Sequence, residues 1–91
     1  MKLIYFYSKT CKQCRLQSEE FEKNHPSLEL KKMWIYDDDA PCLCRKYRVT
    51  DVPTTVLVDD DGRMLHAFID LHTTTDIEDW VARHQGLLYL R

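Results

Sequence analysis

Cys11-Lys12-Gln13-Cys14 follows directly on an apolar run, Leu3 to Tyr7, and opens a polar stretch of helical character. Two cysteines separated by two residues come within bonding reach when the first sits at a helix N-terminus, because one turn folds the second back beneath the first. Such a pair can cycle between dithiol and disulfide. The same spacing also occurs in zinc sites, so the surrounding elements must separate redox use from metal use. Thr10 and Gln13 stand at capping-box spacing, which predicts Thr10 as the helix cap and Cys11 in the first turn. There the unpaired backbone amides and the positive end of the helix dipole favour a thiolate, and Lys12, with Lys9 and Arg15 further off, adds positive charge. Cys11 is thus the expected nucleophile. Cys14, one turn deeper and shielded by the helix, is expected to act second. The plain alternative is a reduced pair that only packs.

The flanking segments supply elements that could position this pair. Residues 2–7 form a nearly unbroken β-branched and aromatic run, the pattern of a central strand covered on both faces. Cys11 to about His25 reads as a helix anchored by Leu16 and Phe21, with Asn24 and Pro26 as the stop. Leu28 to Tyr36 predicts a second strand that ends in Asp37, Asp38 and Asp39. Ala40, Leu43, Cys44 and Tyr47 then recur on one helical face, with an aspartate available to cap the start. Thr54–Val58 and Met64–Ile69 predict an antiparallel hairpin across Asp59-Asp60-Asp61-Gly62, where Asp-Gly supplies the positive φ of a tight turn. Thr75-Asp76-Ile77-Glu78 has capping-box spacing, and Ile77, Trp80, Val81 and His84 keep helical period until Gly86 ends the run. Leu87 to Arg91 is left unassigned. The order is β-α-β-α-β-β-α, one domain over residues 1–91 with its core to about 85 and a tail over 86–91.

Composition narrows the function class. The chain has 91 residues and a net charge of −2 with both signs interspersed, which gives no footprint for a polyanion. Nucleic acid is not an expected partner. The apolar run after Met1 is too short to span a membrane and lacks a small-residue cleavage site, so a soluble, cytoplasmic monomer is expected, with thiols kept reduced unless catalysis oxidises them.

Element order, the Cys-X-X-Cys at the first strand-to-helix junction, and Arg48-Val49-Thr50-Asp51-Val52-Pro53-Thr54-Thr55 before the hairpin together resemble the thioredoxin superfamily, over about residues 1–85. The resemblance implies a four-stranded mixed sheet flanked by three helices. It also implies a thiol-disulfide oxidoreductase that reduces protein disulfides with Cys11 attacking and Cys14 resolving. A cis Val52-Pro53 bond would then lie against the cysteines and leave the Val52 backbone free to pair with an extended substrate, with Thr10, Lys12 and Gln13 as further substrate contacts. No bound cofactor is implied. Disulfide-containing proteins are the expected partners, with an upstream reductase, a flavoprotein, restoring the dithiol.

Several positions depart from the family pattern. Thr10 stands where thioredoxins usually carry tryptophan, Lys12-Gln13 replaces their Gly-Pro, and Tyr5 replaces a buried aspartate that assists the second cysteine. His72-Thr73-Thr74-Thr75-Asp76 stands where glutaredoxins carry the paired glycines that help hold glutathione, which favours a flavoprotein reductase over glutathione. Alternatives in other classes are an interaction module that keeps the fold without turnover, and a structural zinc site built from all four cysteines. Against zinc, Cys42-Leu43-Cys44 falls in a helical pattern that spreads its sulfurs apart. Cys44 shares the apolar face and reads as packing, whereas Cys42 projects outward as a candidate accessory redox cysteine. The four histidines have no mutual metal spacing.

Overall fold

The computed structural model describes residues 1–89, with side chains through Gln85; Leu90 and Arg91, the end of the expected tail, lie outside the described residues. Strand β1 (Lys2–Tyr7) is central: it pairs in parallel with β2 (Glu29–Trp34) and antiparallel with β3 (Thr54–Val58), which pairs antiparallel with β4 (Met64–Ile69). The sheet order is β2-β1-β3-β4. Three helices complete the fold: α1 (Lys12–Lys23), α2 (Ala40–Tyr47) and α3 (Thr74–Tyr89). This is the predicted four-stranded mixed sheet with its three helices.

Alternation along β1 divides the core into two layers. Ile4 and Phe6 pack with Met33, Val56 and Val58 against Ala40 and Tyr47 of α2. Leu3 and Tyr5 face the other way, with Leu57 and Phe68, against Phe21 of α1 and Ile77 of α3. A strand buried on both faces must be apolar at every position, which is why residues 3–6 show no polar alternation.

The predicted bounds of β1, α2, β3 and β4 coincide with the observed ones, while the boundaries of α1, β2 and α3 shift for identifiable reasons. Helix α1 stops at Lys23 rather than near His25, because the Asn24 amide closes the last turn on the Glu20 carbonyl and His25 precedes a proline, which disfavours helical backbone. Strand β2 ends at Trp34, where the Asp37 amide turns back to the Trp34 carbonyl, and Tyr36 is exposed. Helix α3 continues through Gly86 to Tyr89, since a glycine weakens a helix by about 1 kcal/mol without compelling it to end. Its cap is Thr73, whose hydroxyl accepts the Asp76 amide at 3.1 Å, not the predicted Thr75 box; the Glu78 carboxylate instead accepts the Ser27 amide at 2.9 Å. Asp39 precedes α2 without a side-chain cap bond.

In the β3–β4 turn only Gly62 takes positive φ, at 82°, and Asp59 Oδ1 accepts the Asp61 and Arg63 amides at 2.9 Å each. Leu16 does not anchor α1. It is 42% exposed, and the inward face is Cys14, Gln17 and Phe21. Among the described residues no helix is long and apolar enough to cross a membrane.

Candidate active site

Both parallel strands deliver their C-terminal ends to one edge of the sheet, and the cysteine helix starts there. After Tyr7 the chain turns through Ser8, whose carbonyl receives the Cys11 amide at 3.4 Å. Cys11 has extended backbone, φ −90° and ψ 120°, and occupies the N-cap position itself. Its Sγ accepts the Cys14 amide at 3.1 Å, as a serine or aspartate oxygen does at other helix starts. The predicted cap, Thr10, lies one residue too early; its hydroxyl pairs with Ser8 Oγ at 3.2 Å and stays exposed. A sulfur that receives an amide at a helix N-terminus is in an environment suited to negative charge. Lys12 and Gln13 project into solvent, and the ammonium of Lys9 lies 4.1 Å from the centre of the Trp34 ring, tying this turn to the end of β2.

Cys14 differs in its burial. It is 1% exposed, and its Sγ receives the Ser8 amide at 3.5 Å. Burial first, then the hydrogen bond with Cys11, pushes its thiol up to about 11. Below it, fully buried Tyr5 donates its hydroxyl to the Cys14 carbonyl at 2.7 Å and pairs with Ser18 Oγ at 2.9 Å. Burial outweighs the Ser18 hydrogen bond and raises that phenol to about 12, so the group under the cysteine pair is a neutral hydroxyl at ordinary pH.

The segment before β3 closes the site from the other side. The Val52–Pro53 peptide bond is cis, and the Cys11 thiol points to the Val52 carbonyl at 3.7 Å. The Pro53 carbonyl in turn receives the Asp70 amide at 2.9 Å. The structure therefore brings Cys11, Cys14, Val52 and Pro53 together, with Thr10, Lys12 and Gln13 on the exposed rim.

This architecture has solved counterparts. Thioredoxin 1 of Thermosipho africanus superposes with a TM-score of 0.72 over 98% of this chain and 99% of its own, at 17% identity. Mitochondrial thioredoxin 3 of Saccharomyces cerevisiae, in its oxidised form, gives 0.69 over 89% and 76% at 25% identity. A thioredoxin variant from Halobacterium salinarum gives 0.71 over 87% and 69%, also at 25% identity. The chain has the thioredoxin fold. No protein-family model and no curated protein matches it.

Against that background the remaining chemistry-bearing side chains sort clearly. Cys42 is exposed in the first turn of α2, its Sγ 3.8 Å from an Arg45 guanidinium nitrogen. Cys44 is half-buried against the α2-side core, and burial raises its thiol. Among the described residues no group of three or more His, Cys, Asp or Glu converges in a metal-binding arrangement. His66 and His84 stack on Trp80, each 4.1 Å from its ring centre.

Two features of this thioredoxin-fold site escaped sequence reasoning. Ser18 as the partner of Tyr5 lies in a polar helix that offered no reason to prefer it. Gln17 was legible in principle: it stands three residues after Cys14 and four before Phe21, on the buried stripe, and a glutamine inside demands a partner.

Proposed function

We propose that this chain is a thiol-disulfide oxidoreductase that reduces protein disulfides through Cys11 and Cys14. The observation that carries the reading is the asymmetry of the pair: Cys11 Sγ caps the helix and accepts the Cys14 amide at 3.1 Å, while Cys14 is enclosed with its thiol raised to about 11. Cys11 as thiolate attacks one sulfur of a substrate disulfide. That bond breaks, a mixed disulfide forms, and the other substrate sulfur leaves as a thiolate. Cys14 gives up its proton and attacks Cys11 Sγ, forming the Cys11–Cys14 disulfide and releasing the second substrate thiolate. Two electrons pass from protein to substrate. The Val52 carbonyl, 3.7 Å from Cys11 Sγ, suits an extended substrate segment added alongside it, with Thr10, Lys12 and Gln13 around the point of attack.

Restoring the dithiol requires an external two-electron donor, which we assign to a flavoprotein reductase, with a soluble, cytoplasmic setting and a monomer as its context. The test is a redox titration in glutathione buffers, with alkylation and peptide mass spectrometry reporting which cysteines pair. A Cys11–Cys14 couple with a midpoint below about −230 mV supports a reductase, and one above about −180 mV points to an oxidant or isomerase. Cys11→Ser should abolish reduction of insulin disulfides, and Cys14→Ser should accumulate the mixed disulfide. If Cys11 and Cys14 never pair at any potential, the oxidoreductase reading is wrong and a binding role replaces it.

A further inference from the structure

Gln17 has no exposed surface and lies on the inner face of α1, one turn beyond Cys14. A buried primary amide must satisfy both its oxygen and its nitrogen. Both find partners on one residue of another element: Nε2 donates to the His72 carbonyl at 2.8 Å, and Oε1 accepts the His72 amide at 2.8 Å. The side chain thus supplies the two bonds that a neighbouring strand would give, to a segment that has no strand beside it. That segment joins β4 to α3. Two residues earlier in it, Asp70 adopts φ 69°, a left-handed conformation that non-glycine residues hold only where the surroundings impose it. The Asp70 amide donates to the Pro53 carbonyl at 2.9 Å, and the preceding carbonyl, Val52, faces Cys11 Sγ.

These contacts form a closed circuit that leaves α1 at Gln17, passes through His72, Asp70, Pro53 and Val52, and returns to α1 at Cys11. We propose that Gln17 is a positioning residue that holds the β4–α3 segment, and through Asp70 the Val52–Pro53 segment, at the spacing from Cys11 that a protein disulfide requires. The substrate half of this inference rests on the reductase reading; the latch itself rests on the hydrogen bonds alone. Ile69, 63% exposed, and Leu71, 42% exposed, flank Asp70 and face outward, so the latched segment also presents apolar surface beside the site. Removing the latch should free this segment without releasing α3, whose first amide, that of Thr74, is held separately by Glu20 Oε2 at 2.9 Å.

The test is Gln17→Met, which keeps the length of the side chain and removes both bonds. Native-state hydrogen exchange should show the Asp70 amide at least tenfold faster while the Leu57 amide in β3 keeps its wild-type rate. KM for insulin should rise about tenfold with kcat changed less than twofold, and the ratio of kcat/KM for insulin to that for a small aromatic disulfide should fall about tenfold, since displacements near 1 Å around a reacting centre cost up to about a hundredfold. The midpoint potential should not move. Gln17→Glu, which retains an acceptor for the His72 amide, should fall between wild type and Gln17→Met, and it carries the test if the methionine variant does not fold. Equal acceleration of Asp70 and Leu57, or an unchanged insulin KM, overturns the inference. A wild type that reduces neither disulfide overturns the reductase reading and the substrate half, while the exchange contrast still decides the latch.

Discussion

Tyr5→Phe removes one oxygen from the floor beneath the cysteines and leaves the ring, stacked on Tyr7 and edge-on to Phe21, in place. The hydroxyl makes two bonds, to the Cys14 carbonyl at 2.7 Å and to Ser18 Oγ at 2.9 Å. Neither partner is stranded by its loss: the Cys14 carbonyl keeps its place in the helix ladder, and half-buried Ser18 can turn to solvent. At about 0.5–1.5 kcal/mol net for each of the two bonds, the expected cost is about 1–3 kcal/mol, without the added penalty of an orphaned group. For a domain of this size that lowers Tm by about 4–24 °C. Urea unfolding of the dithiol form should show a lower midpoint with an unchanged m-value.

Chemistry should be spared where stability is not. A phenol raised to about 12 and donating to a carbonyl stays protonated near neutral pH, so it cannot serve Cys14 as a base. Under conditions where the variant is fully folded, insulin reduction should remain within about threefold of wild type, which is less than about 0.7 kcal/mol of barrier. A loss of tenfold or more in the resolving step, with folding intact, would refute this reasoning and make the Tyr5 hydroxyl part of the proton path.

Gly62→Ala should cost about 1 kcal/mol or more in urea unfolding, because φ is 82° there; the added Cβ would meet the movable Lys46 Nζ at 3.2 Å and the Tyr47 hydroxyl at an ordinary 3.9 Å, so strain of the backbone and not a clash sets the cost. Alkaline pH should destabilise the dithiol form. Cys14 is raised from 9.0 to about 11, so the folded state retains a proton that the unfolded state loses; the stabilisation is full below pH 9, disappears as pH rises through about 11, and amounts to about 3 kcal/mol at most. Cys14→Ala should flatten that part of the stability-against-pH curve measured by chemical denaturation, and an unchanged curve would assign the effect to Tyr5 and Cys44.

What the sequence made legible, and what it hid, divides along a physical line. Strands β1, β3 and β4 and helix α2 stand out because burial and pattern agree in them: an apolar run in β1 covered on both faces, a β3–β4 hairpin broken by Asp-Gly, and an Ala40-Leu43-Cys44-Tyr47 face. The cysteine pair was visible because its spacing alone restricts where the sulfurs can lie. Misreadings arose where several residues could satisfy the same backbone groups. Spacing alone points to Thr10 and Thr75 as caps, yet the amides at those helix starts are served by Cys11 and Thr73, because capping depends on which residue adopts extended backbone and not on which carries the better oxygen. Leu16 and Gln17 exchanged their expected roles for a related reason. Hydropathy ranks leucine inside, but the segment facing α1 presents the amide and carbonyl of His72, which only a polar side chain can meet, so glutamine takes the buried position and leucine the exposed one. A buried glutamine one turn from a Cys-X-X-Cys pair is therefore informative in itself, because its burial is stable only if another element comes to it.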